Sequence, residues 1–120
     1  MQLEIRGILI SILEAIDFIV ADTLGATFER FVTDRRMRQL SERNIAVVGK
    51  ALIRLRRKEP ELASKVSGLQ GIIGLRNALA HGYDTIDNEQ VWRAIQSNLP
   101  ILRREVEVLL ASGPSSESGG

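Results

Sequence analysis

Apolar residues in this chain recur at the three-and-four spacing of an amphipathic α-helix, and few stretches alternate as strands do. From Leu3 to Asp22, Ile5, Ile8, Leu9, Ile12, Leu13, Ile16, Ile19 and Val20 define one apolar face, with Glu14 and Asp17 opposite. Gly25 predicts a break, and residues 27–32 a short connecting helix. A second long helix is expected from Asp34, a residue suited to an N-cap, to Lys58, where Pro60 stops it. A third spans Gly71 to His81, with Gly82 placed where a left-handed C-cap is wanted. Asp87 and Gln90 have capping-box spacing and open a last helix over 88–111, which Pro100 should kink or split. The predicted fold is all-α: one domain over residues 1–111, an up-and-down four-helix bundle with a short extra helix. The Gly/Ser-rich stretch 112–120 has no apolar anchor and is expected to be a disordered tail.

Composition narrows the chemistry. The 120 residues contain no cysteine, which excludes disulfides and thiolate zinc sites and fits a cytoplasmic protein. The single histidine, His81, rules out a histidine-based metal cage within one chain and any Ser-His-Asp machine that does not use it. No apolar run is long enough to span a membrane, and the charged residues inside the first apolar stretch argue against a signal peptide. Neither a metal nor a cofactor is expected.

The net charge of +1 hides an asymmetry: residues 35–58 hold nine of the sixteen basic residues and one acid, Glu42. At about 100° per residue, Arg36, Arg43, Lys50, Arg54 and Arg57 fall in one narrow arc of the second long helix. Such a stripe is either solvated surface or a track for phosphates. Asn44 falls within the neighbouring apolar arc, as a bridging core amide or as the lining of a polar cleft.

The third helix carries two stripes. Ile72, Leu75 and Leu79 suit the bundle core. Gly71, Gly74, Ala78 and His81 form a small-residue face, fit for a second subunit or for close packing within one chain. These glycines are no phosphate loop, since they lack the Lys-Ser/Thr ending and a preceding strand. Asn77 stands one turn from His81 and can orient its imidazole; Arg76 is rotated about 140° from it. Taken alone, His81 reads either as a C-cap or as a proton-transfer group.

The string Arg76-Asn77-Ala78-Leu79-Ala80-His81-Gly82-Tyr83 resembles the R-x4-H-x-Y motif of the HepT-like branch of the HEPN superfamily. GIIGLRN upstream, HGYDTIDNEQVW downstream, and Glu42-Arg43-Asn44-Ile45 with Gly49 are similar to the same branch, so the resemblance covers nearly all of residues 4–111. It implies a HEPN-like four-helix bundle whose homodimer, or higher oligomer, faces two R-x4-H motifs into one cleft. It also implies a metal-independent endoribonuclease, the toxin of a type VII-like toxin–antitoxin pair. The partner implied is a minimal-nucleotidyltransferase antitoxin that transfers AMP to the motif tyrosine, here Tyr83.

On this reading His81 serves as general base on the ribose 2′-OH or as acid toward the 5′-oxygen. Arg76 stabilises charge on the phosphate, and Asn77 orients His81 or holds a phosphate oxygen. Arg36, Arg43, Lys50 and Arg54 would contact the RNA substrate. For Tyr83 the plainer role is a ring packed over the helix end. The competing function is a HEPN module that binds nucleotide or a partner without reacting.

Overall fold

The computed structural model describes residues 1–81 and 87–118, with side chains through Ser112. Its helices are α1 (Leu3–Thr23), α2 (Phe28–Thr33), α3 (Arg35–Lys58), α4 (Pro60–Ala63), α5 (Leu69–Ala80), α6 (Asn88–Arg93) and α7 (Leu99–Ser118), with a π-helical turn at Ala94–Asn98 between the last two. No strand occurs among the described residues, and the all-α bundle read from the periodicity is the fold observed. α3 packs between α1 and α5, and α1 also packs on α7, so the long helices follow the order α7, α1, α3, α5.

The apolar stripe of α1 supplies the centre of this row. Ile5, Ile8, Leu9, Ile12, Ile16 and Ile19 are buried against Val48, Leu52 and Leu55 of α3 and Leu102 and Val106 of α7 in one core. Each such side chain contributes up to about 1.5–3 kcal/mol by leaving water. Leu13 packs at the edge of this core, whereas Val20 lies on the exposed side of the stripe. On the outer surface Arg103 of α7 donates to Asp17 of α1 (Nε–Oδ1 2.8 Å) and pairs with Glu107. The bond to Asp17 and the pair with Glu107 hold the guanidinium well above its ordinary pKa.

Local signals place the ends. Thr27 accepts from Arg30 N–H, and Asp34 accepts from Met37 N–H at 3.0 Å, so α2 and α3 are side-chain capped where the sequence offers caps. α3 stops at Lys58, and Pro60 starts the unanticipated one-turn α4, where a missing N–H costs nothing. α5 begins two residues earlier than Gly71, at Leu69, after Gly68 takes a left-handed conformation (φ 69°). Asp87 caps α6 through Glu89 N–H (2.9 Å), without the reciprocal bond from Gln90 that a full capping box has.

Pro100 acts as expected but by a definite device. It has no N–H to donate and its ring crowds the carbonyl four residues back. The helix widens just before it: Leu99 N–H donates to Ala94 O, five residues earlier, and the π-turn absorbs the clash. α7 then keeps helical geometry past Ala111 to Ser118, and Leu109 is the last buried residue among the described side chains. Trp92 of α6 meets Phe31 of α2 at 5.1 Å between ring centroids, which ties α6 to the bundle. No helix among the described residues is long and apolar enough to cross a membrane.

Candidate active site

α5 turns its apolar arc to the bundle, with Leu69, Ile72, Ile73 and Leu75 buried. Arg76 belongs to that arc: four residues after Ile72, it lies only about 40° round the helix from it. A charged side chain can leave from there only if the facing helix gives way. α3 does so at Gly49, which is buried. A Cβ built on Gly49 would stand 2.6 Å from Arg76 Cγ, and closer still to Arg76 Cβ. The stem of Arg76 therefore lies in a notch of α3 that only a glycine provides.

From the notch, half-buried Arg76 reaches its sequence neighbour: Nη1 donates to Asn77 Oδ1 at 3.1 Å. His81 closes the helix as its exposed C-cap, with its backbone N–H on Asn77 O at 3.1 Å. Asn77 lies about 40° round from His81 and about 100° from Arg76, so its carboxamide stands between the two. The guanidinium is thus drawn round α5 toward the histidine, with the Asn77 oxygen engaged by Arg76. Gly82 and Tyr83, expected as the left-handed C-cap and the modification site, lie outside the described residues.

Among the described residues, nothing covers the small-residue face at its two glycines. A Cβ on Gly71 or on Gly74 would meet nothing within 4 Å, and Gly71 borders a cleft of ≈160 Å³ between α5 and the π-turn, floored by Ile72, Leu75 and Ala94. Close packing within the chain falls at Gly49 instead. The periodicity of α5 points to its own glycines, and the one that gives Arg76 room sits on α3. A signal existed: an unforced glycine in mid-helix costs about 1 kcal/mol unless a neighbour needs its space.

The basic stripe lies on the outside of α3, about 100° round from Gly49 at Lys50. Arg36, Arg43 and Lys50 are exposed and have no ion-pair partner among the described residues. Arg54 differs: it stands 3.6 Å from Glu4 of α1, which Lys58 also approaches at 2.9 Å. The hydrogen bond and charge of Lys58 hold the Glu4 carboxyl below its ordinary value, with Arg54 adding to it. Glu42, half-buried on α3, is shifted the other way, raised by burial against the opposing charge of Arg38. Asn44 is not the bridging core amide. It is half-buried, and its Nδ2 donates to Leu40 O at 3.0 Å within its own helix, a bond that needs no cross-helix partner.

The family model described as "Ribonuclease HepT-like" matches residues 12–109, which contain α3 and α5 with Gly49, Arg76, Asn77 and His81. The chain belongs to the HepT-like family of the HEPN superfamily. Its relatives agree with that membership. A protein of Caldanaerobacter subterraneus subsp. tengcongensis, named provisionally as an RNase, is 30% identical over 105 residues, covering 88% of this chain and 93% of its own. Two proteins of Methanocaldococcus jannaschii with the same provisional name are 24% and 28% identical, covering 88% and 89% of this chain and 96% and 88% of their own. No solved structure matches the chain. Within this HepT-like chain Arg76 and Asn77 stand near the end of α5, and His81 is its C-cap.

Proposed function

We propose that this HepT-like protein is a metal-independent endoribonuclease whose active site is completed by a second copy of the chain. The observation that carries this reading is the Arg76–Asn77 pair, held at 3.1 Å beside the exposed His81 on a face open to a partner helix. In the dimer, two α5 ends face one cleft. One His81 takes the proton of the ribose 2′-OH as that oxygen attacks phosphorus. The bond from phosphorus to the 5′-oxygen breaks, and the second His81 supplies the proton that this oxygen needs. Arg76 compensates the charge that builds on the non-bridging oxygens. The products are a 2′,3′-cyclic phosphate and a 5′-hydroxyl, so proton transfer balances the step without an external nucleophile.

Mixing the parent with His81→Ala tests the shared site. Mixed dimers of demonstrated composition keep one His81 in the cleft and should lose most of the parental cleavage. Half the parental rate in the mixed dimers would place both proton transfers in one chain's site. Binding of RNA without cleavage by the parent would favour the non-catalytic module instead.

As a toxin, the protein would be silenced by a minimal-nucleotidyltransferase antitoxin. Tyr83 Oη would attack the α-phosphorus of ATP, taking AMP and releasing pyrophosphate. The added phosphate would stand near Arg76 and His81, where the scissile phosphate has to lie. Co-expression with a minimal nucleotidyltransferase should add AMP to the Tyr83 peptide in mass spectra, and Tyr83→Phe should cut RNA and escape silencing. Unmodified Tyr83, or a silenced Tyr83→Phe, would remove this switch.

A further inference from the structure

The glycines of this chain do not share one purpose. Gly7, Gly71 and Gly74 lie in helices with open space where a Cβ would stand. Gly49 lies in α3 with helical geometry that any residue adopts, so backbone conformation does not require a glycine there. Space does. Its missing Cβ would collide with Arg76 Cβ and Cγ and would reach 3.5 Å from Cδ. These are the first atoms of the Arg76 side chain, and the backbone of α5 fixes the nearest of them, Cβ, in every rotamer. It cannot swing aside as the tip of a flexible side chain can.

From this contact we infer that Gly49 is a positioning residue for Arg76, setting where the guanidinium stands relative to Asn77 and His81. The inference rests on the ribonuclease reading above for its catalytic consequence, though not for the contact itself. Filling the notch has two effects. The clash at Cβ moves α5 away from α3, and the clash at Cγ presses Arg76 out of its rotamer; the second displaces the guanidinium relative to Asn77 and His81, which ride on the same helix, because a small rotation at Cβ becomes a large one at the end of the side chain. The bond to Asn77 Oδ1, at 3.1 Å, has little length to spare. On the ribonuclease reading, substrate affinity draws on the exposed charges of Arg36, Arg43 and Lys50, which lie on another face of α3. A displaced Arg76 therefore reduces turnover more than binding.

Four full-length proteins decide the matter: the parent, Gly49→Ala, Arg76→Gly and the double variant, each measured for thermal midpoint and for RNA cleavage in chelator. Gly49→Ala should lower kcat by about tenfold or more while KM stays within about threefold. Its thermal midpoint should fall in the parent background and should not fall in the Arg76→Gly background, where the colliding atoms are gone. If Gly49→Ala does not fold alone, the double variant should fold. Parental kcat in Gly49→Ala, an equal loss of midpoint in both backgrounds, or failure of both Gly49→Ala proteins to fold would each overturn the inference. A parent that does not cleave RNA would instead refute the ribonuclease reading, and the four midpoints would still report whether Gly49 seats Arg76.

Discussion

Asn77 Oδ1 accepts a hydrogen bond from Arg76 Nη1 at 3.1 Å, joining two consecutive residues whose side chains leave α5 about 100° apart. The pair converts a helix position that faces the bundle into one that serves the helix end. Without Asn77, the guanidinium would have the notch at Gly49 behind it and no acceptor ahead.

Asn77→Ala is accordingly expected to slow cleavage by about tenfold, since Arg76 keeps its charge but loses its aim. Arg76→Ala should cost more, on the order of 10²–10³-fold, because the charge itself is removed. Single-turnover rates on one RNA would rank the two. Equal losses would mean that Asn77 has a catalytic contact of its own.

The stripe on α3 sets a second expectation. Neutralising Arg36, Arg43 and Lys50 should weaken RNA binding across sequences and reduce the salt slope by roughly 0.7 per charge for a single strand. Arg54→Gln should change the slope less, because Glu4 stands 3.6 Å from that guanidinium. Titration of binding against salt checks both. A slope untouched by the triple variant would make the stripe ordinary solvated surface.

Glu42 gives a pH signature. Burial raises its carboxyl above the ordinary value of 4.5, so the folded state holds its proton more tightly than the unfolded one. Stability is therefore lost as pH rises through that window, and the cost persists at neutral pH. Glu42→Gln should be more stable than the parent at pH 7 by ~1 kcal/mol or less, with the advantage shrinking below the ordinary carboxyl value. Denaturant midpoints at pH 4 and pH 7 measure it, and an advantage that grows toward acid pH would reverse the sign.

α6 leads back into the bundle just after the motif, and Trp92 fastens it by lying 5.1 Å from Phe31 and 6.4 Å from Phe28. Phe31 is fully buried, so Phe31→Ala should cost about 3–5 kcal/mol in chemical unfolding. A loss of less than about 1 kcal/mol would show that α2 and α6 do not depend on this cluster.

Much of this was legible in the residue pattern because it depends on local rules. The isoleucine spacing of α1, Asp34 as a cap and Pro60 as a stop each act within a turn or two, and each holds in the structure. The outcomes that differ depend on what stands across from a residue. Asn44 reads as a core amide by angle, yet its own helix offers Leu40 O and the side chain takes it. Gly49 reads as a weak point in α3 until Arg76, far along the chain, is placed against it. Likewise the π-turn at Ala94–Asn98 answers a clash at Pro100 that periodicity registers only as a kink.

In the proposed reaction His81 moves protons in RNA cleavage by 2′-OH attack. Its most direct test is the end chemistry of a defined RNA incubated in chelator with the parent and with a folded His81→Ala protein. The account predicts 2′,3′-cyclic phosphate ends from the parent and none above background from His81→Ala. Cleavage by His81→Ala at the parental rate, or ends that carry no cyclic phosphate, would contradict it.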